Sequence, residues 1–157
     1  MKKTISLLLA LVMCLSLGAC GGTKLTVAKV EAALADCDGT LKMETSGNKV
    51  TGFTYTVESI NAEDLVDRGY TREAIVTVLT GDPSKITLGQ VRVSRAITPL
   101  MGIETLFTGD DDFDADAFVE KILDIACDGK TADYNGWSVS AEVDQENDCI
   151  VIAVASE

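Results

Sequence analysis

The sequence predicts an α+β fold in which a four-stranded antiparallel sheet carries helices on one face. Apolar and polar residues alternate in two pairs of short segments, a pattern typical of half-buried strands in β-hairpins. Apolar residues recur at helical spacing before each pair and between the pairs. A chain of 157 residues suits one such domain with its own core. A sheet covered on one side by helices also lets both kinds of element bury their apolar faces.

The first predicted unit is a helix followed by a hairpin. The helix covers residues 27–36 and has Thr26 as a candidate N-cap. The two strands cover residues 41–45 and 50–59. The turn between them falls at 46–48, where a glycine and an asparagine favour a tight turn.

The second predicted unit repeats this order near the end of the chain. A helix over residues 114–127, with Asp114 as its N-cap, precedes strands at 137–143 and 150–154 around a turn at 144–147. A Cys-Asp-Gly tripeptide accompanies the end of the helix in both αββ units. Two different alignments of the units compete, so an internal duplication remains an open alternative.

The middle segment is predicted to be helical. Residues 71–80 form a helix that ends at Gly81-Asp82-Pro83. Residues 88–107 fit a helix, although alternation within them also fits a strand. We favour a helix that is interrupted near Pro99, because proline lacks the amide proton that a helix interior needs.

The N-terminus has the layout of a secretory signal. Two lysines follow Met1, an apolar stretch occupies residues 5–17, and small residues lead to Cys20. The alternative is a retained transmembrane helix, which needs about 20 apolar residues to cross about 30 Å of hydrocarbon. Residues 5–20 would span roughly 24 Å as a helix, at about 1.5 Å per residue. The length therefore favours a signal peptide.

Leu17-Gly18-Ala19-Cys20 resembles the lipobox of bacterial lipoproteins, in which a leucine and two small residues precede the cysteine that receives the lipid. The resemblance covers the leader and a few residues beyond it. It implies that the Cys20 sulfur carries a diacylglyceryl group, with acyl chains such as palmitate, and that the lipoprotein signal peptidase cuts after Ala19. Two acyl chains give stable anchoring where one is marginal. The alternative for Cys20 is an ordinary cysteine after a conventional cleavage site.

The resemblance also implies a domain organisation and a location. Residues 1–19 are the signal peptide, residues 20–26 are the lipidated cysteine with a short tether, and residues 27–157 are a single α+β domain. The protein would be held by its lipid at the extracytoplasmic face of the cell membrane. Gly21 after the cysteine is common in lipoproteins of Gram-positive bacteria and favours such a source.

The charge of the chain excludes some partners. The formal net charge is −12, and it becomes −14 once residues 1–19 take Lys2 and Lys3 away. Nucleic-acid binding needs clustered Lys and Arg, so no nucleic-acid partner is expected. An acidic domain is also repelled by an anionic membrane surface. The charge serves solubility, with a cationic partner or ions as the alternative.

The cysteine and histidine content restricts the possible sites. The chain has no histidine, which removes Ser-His-Asp triads, Cys-His nucleophiles and histidine-containing zinc sites. Cys14 leaves with the signal peptide and Cys20 takes the lipid. The other three, Cys37, Cys127 and Cys149, are expected to be structural thiols, with a Cys127–Cys149 bridge as the alternative. No metal or cofactor is predicted.

An acidic run over residues 110–116 invites comparison with a calcium loop. From Asp110, an EF-hand needs glycine at position 6 and glutamate at position 12, where the chain has Ala115 and Lys121. A start at Asp112 fails in the same way. We interpret the run as an acidic loop before a helix N-terminus, where carboxylates oppose the positive end of the dipole. Weak calcium binding is the alternative.

Tyr134-Asn135-Gly136-Trp137 is a stretch that could contact a sugar ligand. Trp137 could stack on a sugar ring with Asp133 as a polar neighbour, but a lone tryptophan at the start of a hairpin more often anchors a core. We favour the core position and keep Trp137 as a candidate for ligand contact.

These observations predict a non-catalytic protein. The chain has no GxSxG, Walker or GxGxxG motif, so nothing nominates a catalytic residue. We expect a membrane-anchored lipoprotein that binds an envelope protein or another envelope component. The alternative is a small-ligand or glycan-binding lipoprotein. An enzyme would have to rely on carboxylate, tyrosine or lysine side chains alone.

Overall fold

A computed structural model describes residues 23–64, 72–80, 88–108, 115–126 and 129–157. The predicted signal peptide, Cys20, Cys127 and the acidic residues 110–114 lie outside the described residues. The helices are α1 (Val27–Ala33), α2 (Ala62–Asp64), α3 (Arg72–Thr80), α4 (Leu88–Thr108) and α5 (Ala115–Ala126). The strands are β1 (Thr40–Ser46), β2 (Lys49–Glu58), β3 (Ala132–Asp133), β4 (Trp137–Asp144) and β5 (Cys149–Ser156).

The strands form one antiparallel sheet in the order β1-β2-β5-β4-β3. The α+β class is confirmed, but the expected number of four strands is wrong. The additional strand is β3, which has only two residues. Ala132 pairs with Val139, and Asp133 pairs with Ser138. Two residues are too few to show the alternation by which a strand is recognised in a sequence. The division into two αββ units remains a prediction.

The register gives the sheet two distinct ends. At one end, Trp137 pairs with Ser156 and the turn between β1 and β2 falls at Gly47 and Asn48. We call this the Trp137 end. At the other, the Cys149 end, Cys149 pairs with both Glu58 and Asp144, and the turn between β4 and β5 covers residues 145–148.

One face of the sheet forms the core. Because side chains alternate across a strand, the register places most of the buried apolar residues of the three central strands on the same face. They are Phe53, Tyr55, Val57, Trp137, Val139, Ile150, Ile152 and Val154. They join apolar residues of α1, α3, α4 and α5 in a single cluster. On the opposite face, which we call the open face, small side chains such as Thr54, Ala153 and Ser140 follow each other across the strands and are half-buried.

Helix α4 is continuous, so the predicted interruption near Pro99 is wrong. Pro99 lies inside the helix and is itself buried. A proline in a helix interior costs about 3 kcal/mol. On the same helix Val93, Ile97, Leu100 and Ile103 are all buried, and each buried aliphatic side chain contributes about 1.5–3 kcal/mol. The packing of the helix therefore outweighs the missing hydrogen bond.

Helices α1 and α4 approach each other closely at Gly102. A Cβ atom added to Gly102 would lie 2.3 Å from the carbonyl oxygen of Ala33, which is closer than Cβ atoms approach other heavy atoms in folded proteins. The two helices can lie this close together only because residue 102 has no side chain. In the part of the chain that the structure describes, no helix has both the length and the apolar character needed to cross a membrane.

Candidate functional site

Trp137, the residue singled out as a ligand candidate, lies at the start of β4 and is 4% exposed. Its ring belongs to the main hydrophobic cluster. Its Nε1–H donates a hydrogen bond of 2.8 Å to the carbonyl oxygen of Thr23. The indole is thus enclosed by the fold and its one polar atom is satisfied. In this arrangement the ring presents little surface on which a sugar could stack.

The contact with Trp137 is part of a longer attachment of the N-terminal segment. Leu25 is 2% exposed, and its carbonyl oxygen accepts a hydrogen bond of 3.3 Å from the Val50 amide. Thr26 is the N-cap of α1, as predicted, and its side chain accepts from the Lys29 amide. The described part of the predicted tether, residues 23–26, therefore lies on the domain.

Two further aromatic rings form a group with Trp137, which contacts the first of them. The rings of Phe107 and Tyr134 are stacked with centroids 4.8 Å apart, and Phe107 also lies 6.1 Å from Trp137 in a tilted arrangement. Phe107 comes from the end of α4, whereas Tyr134 and Trp137 flank the start of β4. Such pairs add about 0.5–1.5 kcal/mol beyond the area they bury. The aromatic group therefore ties α4 to the Trp137 end of the sheet.

A buried polar cluster adjoins these rings and consists of Glu104, Lys121 and Tyr134. The Lys121 Nζ atom lies 2.8 Å from Oε1 and 3.1 Å from Oε2 of Glu104. The Tyr134 hydroxyl donates to Glu104 Oε2. The Glu104 side chain is 7% exposed and that of Lys121 is 29% exposed. A carboxylate this deep needs such partners, because an unpaired buried charge is strongly destabilising.

The environment of Tyr134 keeps its hydroxyl protonated. Burial raises the pKa of Tyr134 well above its ordinary value, and the hydrogen bond to Glu104 and the negative charge of Glu104 raise the pKa further. Lys121 completes the cluster from the other side, with its Nζ atom 4.2 Å from the centre of the Tyr134 ring. The hydroxyl is therefore a fixed donor at neutral pH rather than a base.

The cluster is satisfied by its own members. Both carboxylate oxygens of Glu104, the ammonium group of Lys121 and the Tyr134 hydroxyl are engaged with one another. Such an arrangement joins α4, α5 and the loop before β4. Glu104 was not among the residues that the sequence predicts to form a site. A charged residue on an apolar helix face was the available signal, since such a residue requires a buried partner.

A second polar cluster lies at the Cys149 end. Arg95 of α4 donates to the carbonyl oxygens of Glu58 and Ser59 at 3.0 and 2.9 Å. It also pairs with Asp38 at 3.1 Å. Within the described residues, the buried Tyr55 hydroxyl and the Nε atom of Arg95 have no hydrogen-bond partner. This cluster attaches α4 to the end of β2.

The described cysteines are poor nucleophiles. Cys37 and Cys149 are free thiols in the part of the chain that the structure covers. Burial raises the pKa of Cys37, with a smaller contribution from Asp36. Burial also raises the pKa of Cys149, and four carboxylates raise it further, those of Asp144, Glu58, Asp148 and Glu142. Because the thiolate is the reactive form, both environments suppress reactivity.

The structure describes only part of the residues that were considered for metal or calcium binding. No group of three or more Cys, Asp or Glu side chains suited to a metal ion occurs among residues 23–64, 72–80, 88–108, 115–126 and 129–157. The acidic run is described only from Ala115 onward, where Asp116 lies in the first turn of α5 and is exposed.

Comparison with known proteins does not extend these observations. No family model matches this chain, and neither the curated proteins nor the solved structures include a match.

Proposed function

We propose that the protein is a lipid-anchored domain at the extracytoplasmic face of a bacterial cell membrane, and that it binds an envelope protein without catalysing a reaction. The proposal of a lipid anchor rests on the sequence from Leu17 to Cys20, which follows a charged start and an apolar stretch. Lipid on Cys20 supplies the attachment.

The open face of the sheet supports a binding role. Ser140, Ala153 and Thr54 form one row across β4, β5 and β2, and Lys42 of β1 extends it. Short side chains make this surface flat and leave the strands accessible to a partner. The row contains both polar and apolar side chains, and interfaces between proteins that associate reversibly are about as polar as the rest of a protein surface.

The lipid anchor is tested by replacing the proposed attachment residue. In the natural chain we expect the protein in the membrane fraction, with incorporation of a labelled palmitate analogue. The Cys20→Ala variant should lose the label and leave the membrane fraction. A Cys37→Ala variant is the control, because Cys37 lies within the folded domain. A Cys20→Ala protein that keeps its label and its membrane attachment would disprove the anchor.

Binding through the open face is tested by crosslinking in membranes followed by mass spectrometry. We expect one crosslinked protein that is lost in Ser140→Arg, because a long charged side chain would stand out from the flat surface. Gln145→Arg, in the exposed turn after β4, is the control with the same charge change. Equal crosslinking in both variants would remove the open face from the proposal. Retention on purified wall glycan alone would favour the glycan-binding alternative.

A further inference from the structure

The proposed lipid attachment lies very close in sequence to a residue that is fixed on the domain. Thr23 is held by the Trp137 indole, and Leu25 is buried with its carbonyl oxygen bound to the Val50 amide. Thr26 then caps α1. Residues 23–26 are therefore part of the folded domain, and only Gly21 and Gly22 separate Thr23 from Cys20.

This spacing limits how far the domain can stand from its anchor. Three Cα–Cα steps of about 3.8 Å join Cys20 to Thr23, so the reach is at most about 11 Å. Strand β5 runs from the Cys149 end to the Trp137 end in seven residue steps, or about 24 Å at 3.4 Å per residue. A lipid on Cys20 can thus be reached from the Trp137 end and not from the Cys149 end.

We infer that the domain stands on the lipid bilayer on the Trp137 end of its sheet and directs the Cys149 end away from the membrane. The inference rests on the proposed lipidation of Cys20. It places the turn at Gly47 and Asn48 next to the lipid headgroups. It places the turn over residues 145–148 on the far side, and the open face then stands upright and accessible from the side.

The distribution of charge supports this orientation independently. The Cys149 end carries a group of carboxylates, those of Asp38, Glu58, Glu142, Asp144, Glu146 and Asp148. At that end Arg95 pairs with Asp38, and the other five carboxylates remain in excess. The Trp137 end is mixed, with exposed Lys24 and Lys49 near Glu44, Asp133 and Glu157. Anionic lipids repel carboxylates over a screening length of about 8 Å at physiological salt. An upright domain keeps its acidic end beyond that range.

The test measures the distance of each turn from the membrane by energy transfer. The full chain is isolated from bacterial membranes after Cys37→Ser, Cys127→Ser and Cys149→Ala, which leave no free thiol once Cys20 carries lipid. A donor dye is attached through Asn48→Cys in one sample and Glu146→Cys in the other, both at exposed turn positions. Each is reconstituted in vesicles of phosphatidylethanolamine and phosphatidylglycerol with an acceptor dye on some headgroups. Thermal unfolding of both labelled samples checks that they are folded.

A matched control alters only the tether. About twelve Gly and Ser residues inserted between Gly22 and Thr23 add a flexible span of about 20 Å, which frees the orientation and leaves the domain unchanged. We expect greater energy transfer from position 48 than from position 146 in the natural tether, and a reduced difference after the insertion.

The other outcomes separate the two proposals. Equal transfer from both positions, or greater transfer from position 146, in protein that is bound to the vesicles overturns the orientation and leaves the lipid anchor intact. Protein that does not bind the vesicles overturns the anchor itself, and the orientation with it.

Discussion

Glu104 shows how a single charged residue shapes this core. Its carboxylate is nearly excluded from water, and it depends on Lys121 and Tyr134 for every partner at its two oxygens. Removing one member of a buried ion pair usually costs more than the pair contributes, because the remaining charge is left without a partner.

We therefore expect Glu104→Ala to lower the free energy of unfolding by about 3–5 kcal/mol. Glu104→Gln should cost less, because the amide oxygen still accepts a hydrogen bond from Tyr134. Urea unfolding at neutral pH measures both. Glu142→Ala, at an exposed position, is the control and should stay within about 0.5 kcal/mol of the natural protein. Similar losses for Glu104→Ala and Glu142→Ala would contradict the buried pair.

The raised pKa of Tyr134 predicts that the protein loses stability at alkaline pH. Burial and Glu104 raise its pKa in the folded protein, whereas the unfolded chain should titrate near pH 10. The neutral hydroxyl therefore contributes stability that is complete below about pH 10 and is lost progressively as the pH rises above it.

The variant that checks this response is Tyr134→Phe. At neutral pH we expect it to be less stable than the natural protein by about 1.5–3 kcal/mol, since Glu104 loses a donor. The difference in stability should narrow above about pH 10. Only the natural protein has a hydroxyl that ionises on unfolding, so only its stability falls with this group. Denaturant unfolding at a series of pH values measures the difference. A difference that stays constant across the alkaline range would be inconsistent with the raised pKa.

Single residues were predictable from the sequence where a local pattern defines them. Thr26 as an N-cap follows from its position before an apolar periodic segment, and the structure places it there. The cluster of Glu104, Lys121 and Tyr134 was not predictable in the same way. Its members are separated along the chain, and their meeting depends on how α4 and α5 pack against β4.

At the scale of elements, Gly102 determines how closely two helices approach. Alanine is favoured over glycine in a helix by about 1 kcal/mol, so propensity alone predicts that Gly102→Ala stabilises the protein. The added methyl group would instead meet the Ala33 carbonyl oxygen, and backbone atoms cannot move aside cheaply. We expect a loss of about 1–3 kcal/mol, measured by thermal or urea unfolding.

Gly47→Ala is the comparison for that experiment. Gly47 has a φ of 62° and no atom near its missing Cβ, so its replacement costs only backbone strain of about 1–2 kcal/mol. Gly47→Asn should recover part of this loss, because asparagine tolerates the left-handed region. No such rescue is available at Gly102, where Gly102→Ser should be at least as harmful as Gly102→Ala. A neutral Gly102→Ala would show that the helices can separate.

The elements also show where sequence patterns fail. The described hairpin strands follow the alternation closely, because one face of each is buried. Pro99 led to the wrong expectation because the rule for proline is local, whereas α4 is held by residues that it buries against three other helices and the sheet. Strand β3 was missed because its two residues have no periodicity, and only the approach of β4 makes them a strand.

At the scale of the whole molecule, Trp137 connects the start of the described chain to its last hairpin. We expect Trp137→Phe to loosen the segment from Thr23 to Leu25, since phenylalanine keeps an aromatic ring but cannot donate to the Thr23 carbonyl oxygen. Trypsin should then cleave after Lys24 faster relative to Lys49, which lies at the β1–β2 turn and serves as the internal reference.

Intact folding of the variant is checked by its thermal transition. An unchanged ratio of cleavage at Lys24 and Lys49 would show that other contacts, such as the burial of Leu25, hold the segment alone. If residues 23–25 detach from the domain in Trp137→Phe, the flexible tether becomes longer. The difference in energy transfer between positions 48 and 146 should then be reduced, as in the protein with the Gly-Ser insertion.

The order of the strands was the least predictable property of the whole molecule. Hairpins are local, so β1–β2 and β4–β5 could be expected from their turns. The pairing of β2 with β5 joins segments that are far apart in sequence, for example Tyr55 with Ile152. No turn or short loop specifies that pairing, and it follows only from the burial of both strands in one core.

The same pairing has a consequence for the timing of folding. Strand β5 lies between β2 and β4 in the sheet, yet it is the last of the five described strands to leave the ribosome. Until β5 is synthesised, the edge of β2 that pairs with it has no partner strand. Loop closure over so many residues is slow. During synthesis the unpaired edge of β2 is therefore exposed to pairing with other chains until the eight residues of β5 join it, and β5 then connects the two hairpins in one sheet.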